Sequence, residues 1–221
     1  MKNRVNILAV STSGRAASAA LIQDGACVLE KLSDAGLTHS ETIAPLADEL
    51  LLEAGLGFSD MDAFAADAGP GSFTGVRIGV CLVNAFAFAA GKPVIAISSL
   101  EALASGLSGS ACPLIDARNG NGYAALYIDG EETLPPSPVV VSELLSTVPP
   151  GTLFTGDGAI IHRELISAAV PGARFAPQES ALLRASMFAA PAYRAFCSNK
   201  TQKEAMPLYL RPTQAERMFK K

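Results

Sequence analysis

The sequence predicts an α/β protein of two lobes, in which each lobe begins with β-strands and continues with alternating helices and strands. Two observations support this fold class. Each half opens with short apolar segments joined by a tight Asp-Gly turn, at Asp24-Gly25 in the first half and at Asp129-Gly130 in the second. Behind these segments, helical periodicity alternates with short apolar runs. The repeated order predicts an internal duplication of a βββαβα unit.

The elements of the first lobe follow from their hydrophobic pattern. Strands are predicted at 6–11, 17–23, 26–31, 63–67 and 93–98, and helices at 39–54, 74–90 and 100–107. The helix at 39–54 is amphipathic, because its apolar residues recur three and four positions apart. These residues are Ile43, Leu46, Ala47, Leu50, Leu51 and Ala54.

The second lobe begins after a run of small residues at 105–110, which interrupts the pattern. We therefore predict an N-terminal lobe at 1–108, which carries the dimerisation helices, and a C-terminal lobe at 109–221. The elements predicted for the C-terminal lobe are strands at 112–116, 122–128, 131–133 and 152–156, and helices at 141–146, 159–169 and 181–196.

Composition and charge argue against direct binding of nucleic acid. The chain has 221 residues and a formal net charge of -4, but positions 194–221 hold seven basic and two acidic residues. An acidic body with one basic end lacks the broad basic patch expected of an RNA-binding face. The basic end is interpreted either as a solvated tail or as a contact with an anionic partner.

Cysteine and histidine spacing predicts neither a metal site nor a redox site. Cys27, Cys81, Cys112 and Cys197 form no C-x-x-C pair, and we interpret them as buried free thiols. The two histidines of the chain have no partner at the spacing of metal ligands. We therefore expect no metal and no cofactor.

Membrane and targeting signals are weak. The longest apolar stretch, at 76–90, contains Arg77 and Asn84 and falls short of the ~20 residues that a transmembrane helix needs. The apolar run at 5–10 is too short for a signal peptide. We predict a cytoplasmic protein that contacts no membrane.

A glycine-rich loop at 69–79 leaves a predicted strand and opens a predicted helix, a geometry that often holds a phosphate. It lacks the lysine of a P-loop, since the next lysine is Lys92, and it lacks the G-x-G-x-x-G spacing of a dinucleotide site. We interpret it as a scaffold element or as a phosphate cradle of another fold. Ser72 and Thr74 are expected to cap the helix rather than act as nucleophiles.

Three loops, at 11–14, 116–122 and 155–158, lie where a duplicated fold of the actin and sugar-kinase kind holds a nucleotide between its lobes. In such enzymes a carboxylate on the first loop organises Mg²⁺, and here Ser11 occupies that position. Asp116 is either a turn residue at a strand end or the acid of an ATP-dependent phosphotransferase, which is the alternative function. The residues assigned to possible vestigial nucleotide loops are Thr12, Gly69, Gly71, Asp116 and Gly156.

The predicted helix at 74–90 is apolar on nearly all sides, so all of its sides must be covered. One side can pack on the sheet of its own lobe. The other side, together with the helix at 39–54, needs either the second lobe or another subunit. We favour an intermolecular four-helix seam.

Five segments of the chain form a distinctive set. They are ILAVSTS at 7–13, HSE at 39–41 followed by IAP at 43–45, GPGSFTGVRIG at 69–79, IDAR at 115–118 and PLYLR at 207–211. Together these segments resemble the TsaB (YeaZ) family. The resemblance implies a two-lobed actin-like ATPase (ASKHA) fold and a non-catalytic subunit required for N6-threonylcarbamoyladenosine modification of tRNA. It also implies a homodimer that exchanges its self-contact for the transferase TsaD, activation of TsaD, and a ternary complex with TsaE. Contact with tRNA is then only indirect, through the complex.

The resemblance places the partner interface on the predicted helices at 39–54 and 74–90, which the apolar pattern also selects. The predicted interface residues are His39, Ile43, Leu46, Ala47, Leu50, Arg77, Val80, Val83, Asn84 and Ala87. From the residues alone, His39 is interpreted as part of the helix cap or as a partner contact. No catalytic residue is expected, and Ser11 departs from the aspartate usual in the family.

Overall fold

The computed structural model describes residues 4–33 and 38–211, whose strands form two five-stranded sheets. The first sheet contains β1 (Asn6–Ser11), β2 (Ala17–Gln23), β3 (Ala26–Ser33), β4 (Ala63–Asp67) and β5 (Val94–Ile97). The second contains β6 (Ser110–Asp116), β7 (Asn121–Ile128), β8 (Glu131–Val140), β9 (Leu153–Thr155) and β10 (Arg174–Phe175). Residues 212–221, which hold part of the basic end, lie outside the described residues.

The two sheets share one strand order, which confirms the predicted α/β fold with duplicated lobes. The order is β3-β2-β1-β4-β5 in the first sheet and β8-β7-β6-β9-β10 in the second. In each, the first strand of the lobe is central, pairing antiparallel with the second strand and parallel with the fourth. The sheets fall on either side of the boundary expected between 108 and 109, and the boundary itself stays a prediction.

Helices pack against both sheets. In chain order they are α1 (His39–Glu53), α2 (Phe73–Ala90), α3 (Ser99–Ala104), α4 (Val141–Leu145), α5 (Asp157–Ile161), α6 (Arg163–Ala169), α7 (Gln178–Ala181) and α8 (Ala189–Cys197). Residues of α4, α5 and α6 are buried against the second sheet. Two short 3-10 helices lie at 58–60 and 185–188. One face of the first sheet packs against α1 and α2, and the other packs against α3, the 3-10 helix 185–188 and α8.

The C-terminal part of the chain returns to the first lobe. Phe188 and Ala192 are buried against the first sheet, although sequence reasoning assigned them to the second lobe. Beyond α8, residues 201–209 pass β5 and α2, and we call this segment the strap. Gln202 and Val94 exchange two backbone N–H···O bonds of 2.8 and 2.9 Å, so the strap is paired to β5.

The single helix predicted at 181–196 is wrong, because α7, the 3-10 helix 185–188 and α8 occupy this range instead. The N–H groups of Ala185 and Ser186 donate to Ser18 Oγ at 2.9 Å and to Glu30 Oε1 at 2.7 Å. Tertiary hydrogen bonds to β2 and β3 therefore replace helical ones at this point. The helix predicted at 159–169 is likewise divided, at His162, into α5 and α6.

By length and composition alone, α2 could cross a membrane, with a mean hydropathy of 1.6 over 18 residues; no other helix among the described residues passes that test. Its inner side carries Val80, Val83 and Ala87, which are buried in the core of the first lobe. A core helix has the same composition.

Candidate functional site

The side of α1 and α2 that points away from the first sheet exposes large apolar residues. On α2, Arg77, Cys81, Ala85 and Phe88 recur at three- and four-residue spacing and are all exposed, so they lie in one stripe. Phe88 is 91% exposed, and Leu52 of α1 is 78% exposed. We call this stripe, together with Leu52, the outer face. Exposed apolar groups gathered on adjacent helices are typical of a protein-binding surface.

Six of the predicted interface residues lie on the opposite, inner side of these helices. They are Ile43, Ala47, Leu50, Val80, Val83 and Ala87, each at most 3% exposed. They pack in the core between the helices and the first sheet, so they are unavailable for contact with a partner. On α2 the apolar pattern alone could not tell which side the sheet covers, because that helix has no polar face. On α1 the apolar stripe is the side that packs in the core of the first lobe. The partner interface itself stays a prediction.

The other four predicted interface residues have different surroundings. His39 Nε2 lies 3.2 Å from the carbonyl oxygen of Gly14, on the β1–β2 turn, and Leu46 packs partly buried against the core. Asn84 holds the strap, since its amide donates to Ala205 O at 3.0 Å and accepts from Ala205 N–H at 2.8 Å. Among these four, Arg77 alone is exposed.

The glycine loop packs tightly on the turn between β1 and β2. The Ser72 N–H donates to Ser13 O at 2.8 Å, and Thr12 Oγ1 donates to Gly75 O at 2.7 Å. A Cβ atom on Gly75 would overlap the Thr12 carbonyl, and one on Gly71 would overlap Ser13. The glycines are therefore required by this close approach, which favours the scaffold interpretation. The expected Ser72 cap is present, because its Oγ accepts from Gly75 N–H at 3.2 Å.

A buried carboxylate behind this loop was missed by sequence reasoning. Asp67, at the end of β4, is 1% exposed and accepts three hydrogen bonds. The donors are Ser11 Oγ at 2.7 Å, Ser99 Oγ at 2.6 Å and Gly69 N–H at 3.0 Å. The two strands parallel to β4 are β1, which ends at Ser11, and β5, which is soon followed by Ser99. These serines were the sequence signal that could have identified Asp67 as a hydrogen-bonded carboxylate. The carboxylate ties together the ends of three neighbouring strands.

Asp116 ends β6, the strand of the second lobe that corresponds to β1, so its position matches that of Ser11. Its Oδ1 lies 3.1 Å from His162 Nε2, and its Oδ2 accepts from Arg118 N–H at 3.1 Å. The Asp116 N–H donates to Asp157 Oδ1 at 3.0 Å. Asp116 therefore closes a hairpin turn and pairs with His162, a partner that sequence reasoning did not identify.

Gly156, the last of the possible nucleotide-loop residues, lies at the start of α5. Its φ is +94°, and a Cβ atom would overlap the carbonyl of Leu114 on β6. Glycine is needed here for backbone conformation and for close packing. Thr12 lies on the β1–β2 turn and Gly71 packs against it, while Gly69 faces Val76 of α2 and the backbone of Leu208. Asp116 and Gly156 belong to the second lobe.

The cysteines differ from their predicted burial. Cys112 is buried, and burial raises the pKa of its thiol to about 12. Cys27 is half-buried, while Cys81 and Cys197 are exposed, so the expectation of four buried thiols was wrong. Cys81 is exposed because it lies on the outer face of α2.

Two further features of the described residues bear on ligand binding. A crevice of about 310 Å³ lies between α3 and the β9–β10 edge, with apolar residues such as Leu103, Leu153 and Phe175 in its wall. Within residues 4–33 and 38–211, no group of three or more His, Cys, Asp or Glu side chains is arranged to hold a metal ion.

Comparisons with known proteins agree on one group of relatives. Residues 33–209 match the family described as TsaD, tRNA N6-adenosine threonylcarbamoyltransferase. The tRNA threonylcarbamoyladenosine biosynthesis protein TsaB of Bacillus subtilis is 32% identical over 172 residues, which cover 73% of this chain and 75% of that protein.

Solved structures extend the likeness to the fold. YeaZ from Pseudomonas aeruginosa matches with a TM-score of 0.76 and 30% identity, covering 93% of this chain and 100% of that one. Component A of (R)-2-hydroxyglutaryl-CoA dehydratase from Acidaminococcus fermentans matches with a TM-score of 0.50 and 12% identity, covering 86% and 99%. At that identity the second likeness shows the fold alone.

Proposed function

Because the chain belongs to the TsaB (YeaZ) family of tRNA threonylcarbamoyladenosine biosynthesis proteins, we propose that it is a non-catalytic subunit that binds and activates the transferase TsaD through the outer face. Membership of the family gives the chain a role in threonylcarbamoyladenosine biosynthesis. The mode of action is the proposed part.

One observation carries the proposal: Phe88 and Leu52 are 91% and 78% exposed on adjacent helices of a sheet-packed lobe. Burying a side chain such as Phe88 contributes roughly 2 kcal/mol, which a partner would gain on binding. Leu52 and the small residues Cys81 and Ala85 complete a surface that another pair of helices can approach closely.

The same outer face is proposed to form the homodimer, so that TsaD and a second copy compete for it. We further propose that TsaE joins this chain and TsaD in a ternary complex. This chain then contacts tRNA only indirectly, through that complex. The protein is proposed to act in the cytoplasm. Competition for one face predicts that TsaD converts homodimer into heterodimer as its concentration rises.

The state of the two strand-end carboxylates supports a non-catalytic role. Phosphoryl transfer in actin-like enzymes needs carboxylates that can hold Mg²⁺ and orient the nucleophile. Asp67 is buried and already accepts hydrogen bonds from Ser11, Ser99 and Gly69. Asp116 is engaged by His162 and by the Arg118 N–H.

The experiment is reconstitution of tRNA modification with cognate TsaD, TsaE and the threonylcarbamoyl donor, measured by nucleoside mass spectrometry. We expect Phe88→Glu to lower modification and TsaD binding at least about tenfold, because a charge would be buried in the contact. Ile161→Glu is the matched control, since Ile161 is an apolar residue of α5 that is 60% exposed. Unchanged binding by Phe88→Glu would remove the outer face from the proposal, and modification by this chain without TsaD would contradict a non-catalytic role.

The alternative, an ATP-dependent phosphotransferase that uses Asp116 as its acid, has its own test. Calorimetry with Mg-ATP should show no tight binding to the wild-type chain. Tight, metal-dependent binding that Asp116→Asn abolishes, accompanied by ATP turnover, would favour the phosphotransferase instead.

A further inference from the structure

An exposed aromatic and cationic patch lies at the N-terminal end of α2, beside the outer face. Two of its residues, Phe73 and Arg77, belong to α2. The others, Met206, Leu208 and Tyr209, belong to the strap, and Met206 and Tyr209 are 71% and 46% exposed. We call these five residues the strap patch. Arginine, tyrosine, phenylalanine and methionine are the residue types enriched in protein interfaces.

Arg77 is held in one orientation by two aromatic side chains. Its Nε donates to Tyr209 Oη at 2.7 Å, and its guanidinium carbon lies 4.0 Å from the centroid of the Phe73 ring. The Phe73 and Tyr209 rings stack with centroids 4.8 Å apart. Little side-chain freedom therefore remains to be lost when Arg77 binds a ligand.

The strap itself is fixed where it carries Tyr209. The N–H of Leu208 donates to Ala68 O at 2.7 Å, next to the glycine loop. Further back along the strap, Asn84 bonds both backbone groups of Ala205. The strap patch is consequently built by two distant parts of the chain and is preorganised before any partner arrives.

The charge of Arg77 has no acidic counterpart within residues 4–33 and 38–211, whose ion pairs involve other basic groups. With Nε donating to Tyr209 and one face of the guanidinium covered by Phe73, the donors of the two terminal nitrogens are left to meet a ligand. Two parallel N–H donors match the two oxygens of a carboxylate.

We propose that the strap patch receives an Asp or Glu carboxylate of the partner transferase, which Arg77 binds through its two terminal nitrogens. This inference rests on the proposed function. Arg77 precedes Cys81, Ala85 and Phe88 in the same stripe, so a partner seated on the outer face reaches the strap patch without a second contact area. Apolar contact then supplies affinity, while the charged pair fixes the register of the partner along α2.

The experiment titrates cognate TsaD into wild-type protein and into Arg77→Glu, Arg77→Lys and Tyr209→Phe by calorimetry at low and high salt. We expect the affinity for TsaD to fall about a hundredfold in Arg77→Glu and a few-fold in Tyr209→Phe. In Arg77→Lys it should fall about tenfold, because lysine keeps the positive charge but cannot offer two parallel N–H donors. High salt should weaken the wild-type complex more than the Arg77→Glu complex. Arg163→Glu is the matched control, because Arg163 also lies over a ring, 4.2 Å from the centroid of Phe175, but in the second lobe.

The outcomes separate this inference from the proposed function. Wild-type binding with no loss in Arg77→Glu would overturn the carboxylate site and leave the docking of TsaD intact. Absence of wild-type binding would overturn the proposed function itself. A loss confined to self-association, measured by sedimentation, would assign the strap patch to a second copy of this chain and overturn the inference. The melting temperatures of all four variants are measured as a control. Values close to that of the wild type would exclude misfolding as the cause of a loss in affinity.

Discussion

The two lobes share one strand order but differ in the helices that cover their sheets. In the first lobe, α1 and α2 have 15 and 18 residues, whereas α4, α5 and α6 of the second lobe have 5, 5 and 7. The long helices bury one side and expose an apolar stripe on the other. The exposed apolar residues Ile161 and Leu165 of the second lobe are interleaved with the charged Arg163 and Glu164. Within residues 4–33 and 38–211, the two lobes therefore share a scaffold, but the first exposes an apolar stripe on a long helix, whereas the second separates its exposed apolar residues with charged ones.

The largest effect is expected from the two carboxylates that end a strand in each lobe, Asp67 on β4 and Asp116 on β6. Asp67→Ala leaves three buried donors without an acceptor and should lower the free energy of unfolding by roughly 3 to 5 kcal/mol. Asp116→Ala breaks contacts nearer the surface and should cost about 1 kcal/mol. Urea unfolding of both variants measures the difference, and equal losses would contradict the contrast between the lobes.

A smaller effect separates the inner and outer sides of α2. Val83→Ala removes two methyl groups from the core and should destabilise the first lobe by roughly 2 kcal/mol. Phe88→Ala, at an exposed position, should change the stability of the monomer by less than about 0.5 kcal/mol. Unfolding at dilute protein concentration tests this, and a large loss in Phe88→Ala under those conditions would mean that its ring packs within one copy.

The smallest change in stability is expected at Cys81 of α2, which we compare with Cys112 of β6 in the other lobe. Cys81 on the outer face should react with a thiol reagent at pH 8, while Cys112 should resist it because burial raises its pKa to about 12 and blocks access. Cys81→Ser should leave the melting temperature nearly unchanged.

Labelling also reports whether the outer face is covered. Addition of TsaD should protect Cys81 and leave the exposed Cys197 of α8 reactive, which serves as the internal control. Equal protection of both thiols, or of neither, would argue against docking on the outer face.

Much of the architecture could be predicted from the sequence, because amphipathic periodicity marks α1, a long apolar run after the glycine loop marks α2, and Asp-Gly turns mark the hairpins. The segment at 181–196 could not, since its backbone is set by hydrogen bonds to Ser18 and Glu30 from a distant sheet. Local patterns carry no trace of such partners.

The site was harder to predict than the fold for the same reason. The apolar pattern selected buried residues such as Val83 rather than the exposed Phe88, and the partner interface on α1 and α2 stays a prediction. The strap patch could not be predicted from local sequence patterns, because Arg77 and Tyr209 lie 132 positions apart in the chain. Asp67 could have been found, had the serines at the ends of the parallel strands been considered together.

The strap has a consequence for how the protein is made. During synthesis the ribosome releases α2 and β5 long before residues 201–209, so the nascent first lobe must wait with the flank of α2 and the edge of β5 bare. When the strap emerges, it pairs with the edge of β5, and Tyr209 accepts the hydrogen bond that orients Arg77. A product that terminates before the strap would therefore have an unpaired, aggregation-prone edge on β5, and α2 would lack its contacts with the strap. Quality-control proteases could distinguish this product from a chain that contains the strap.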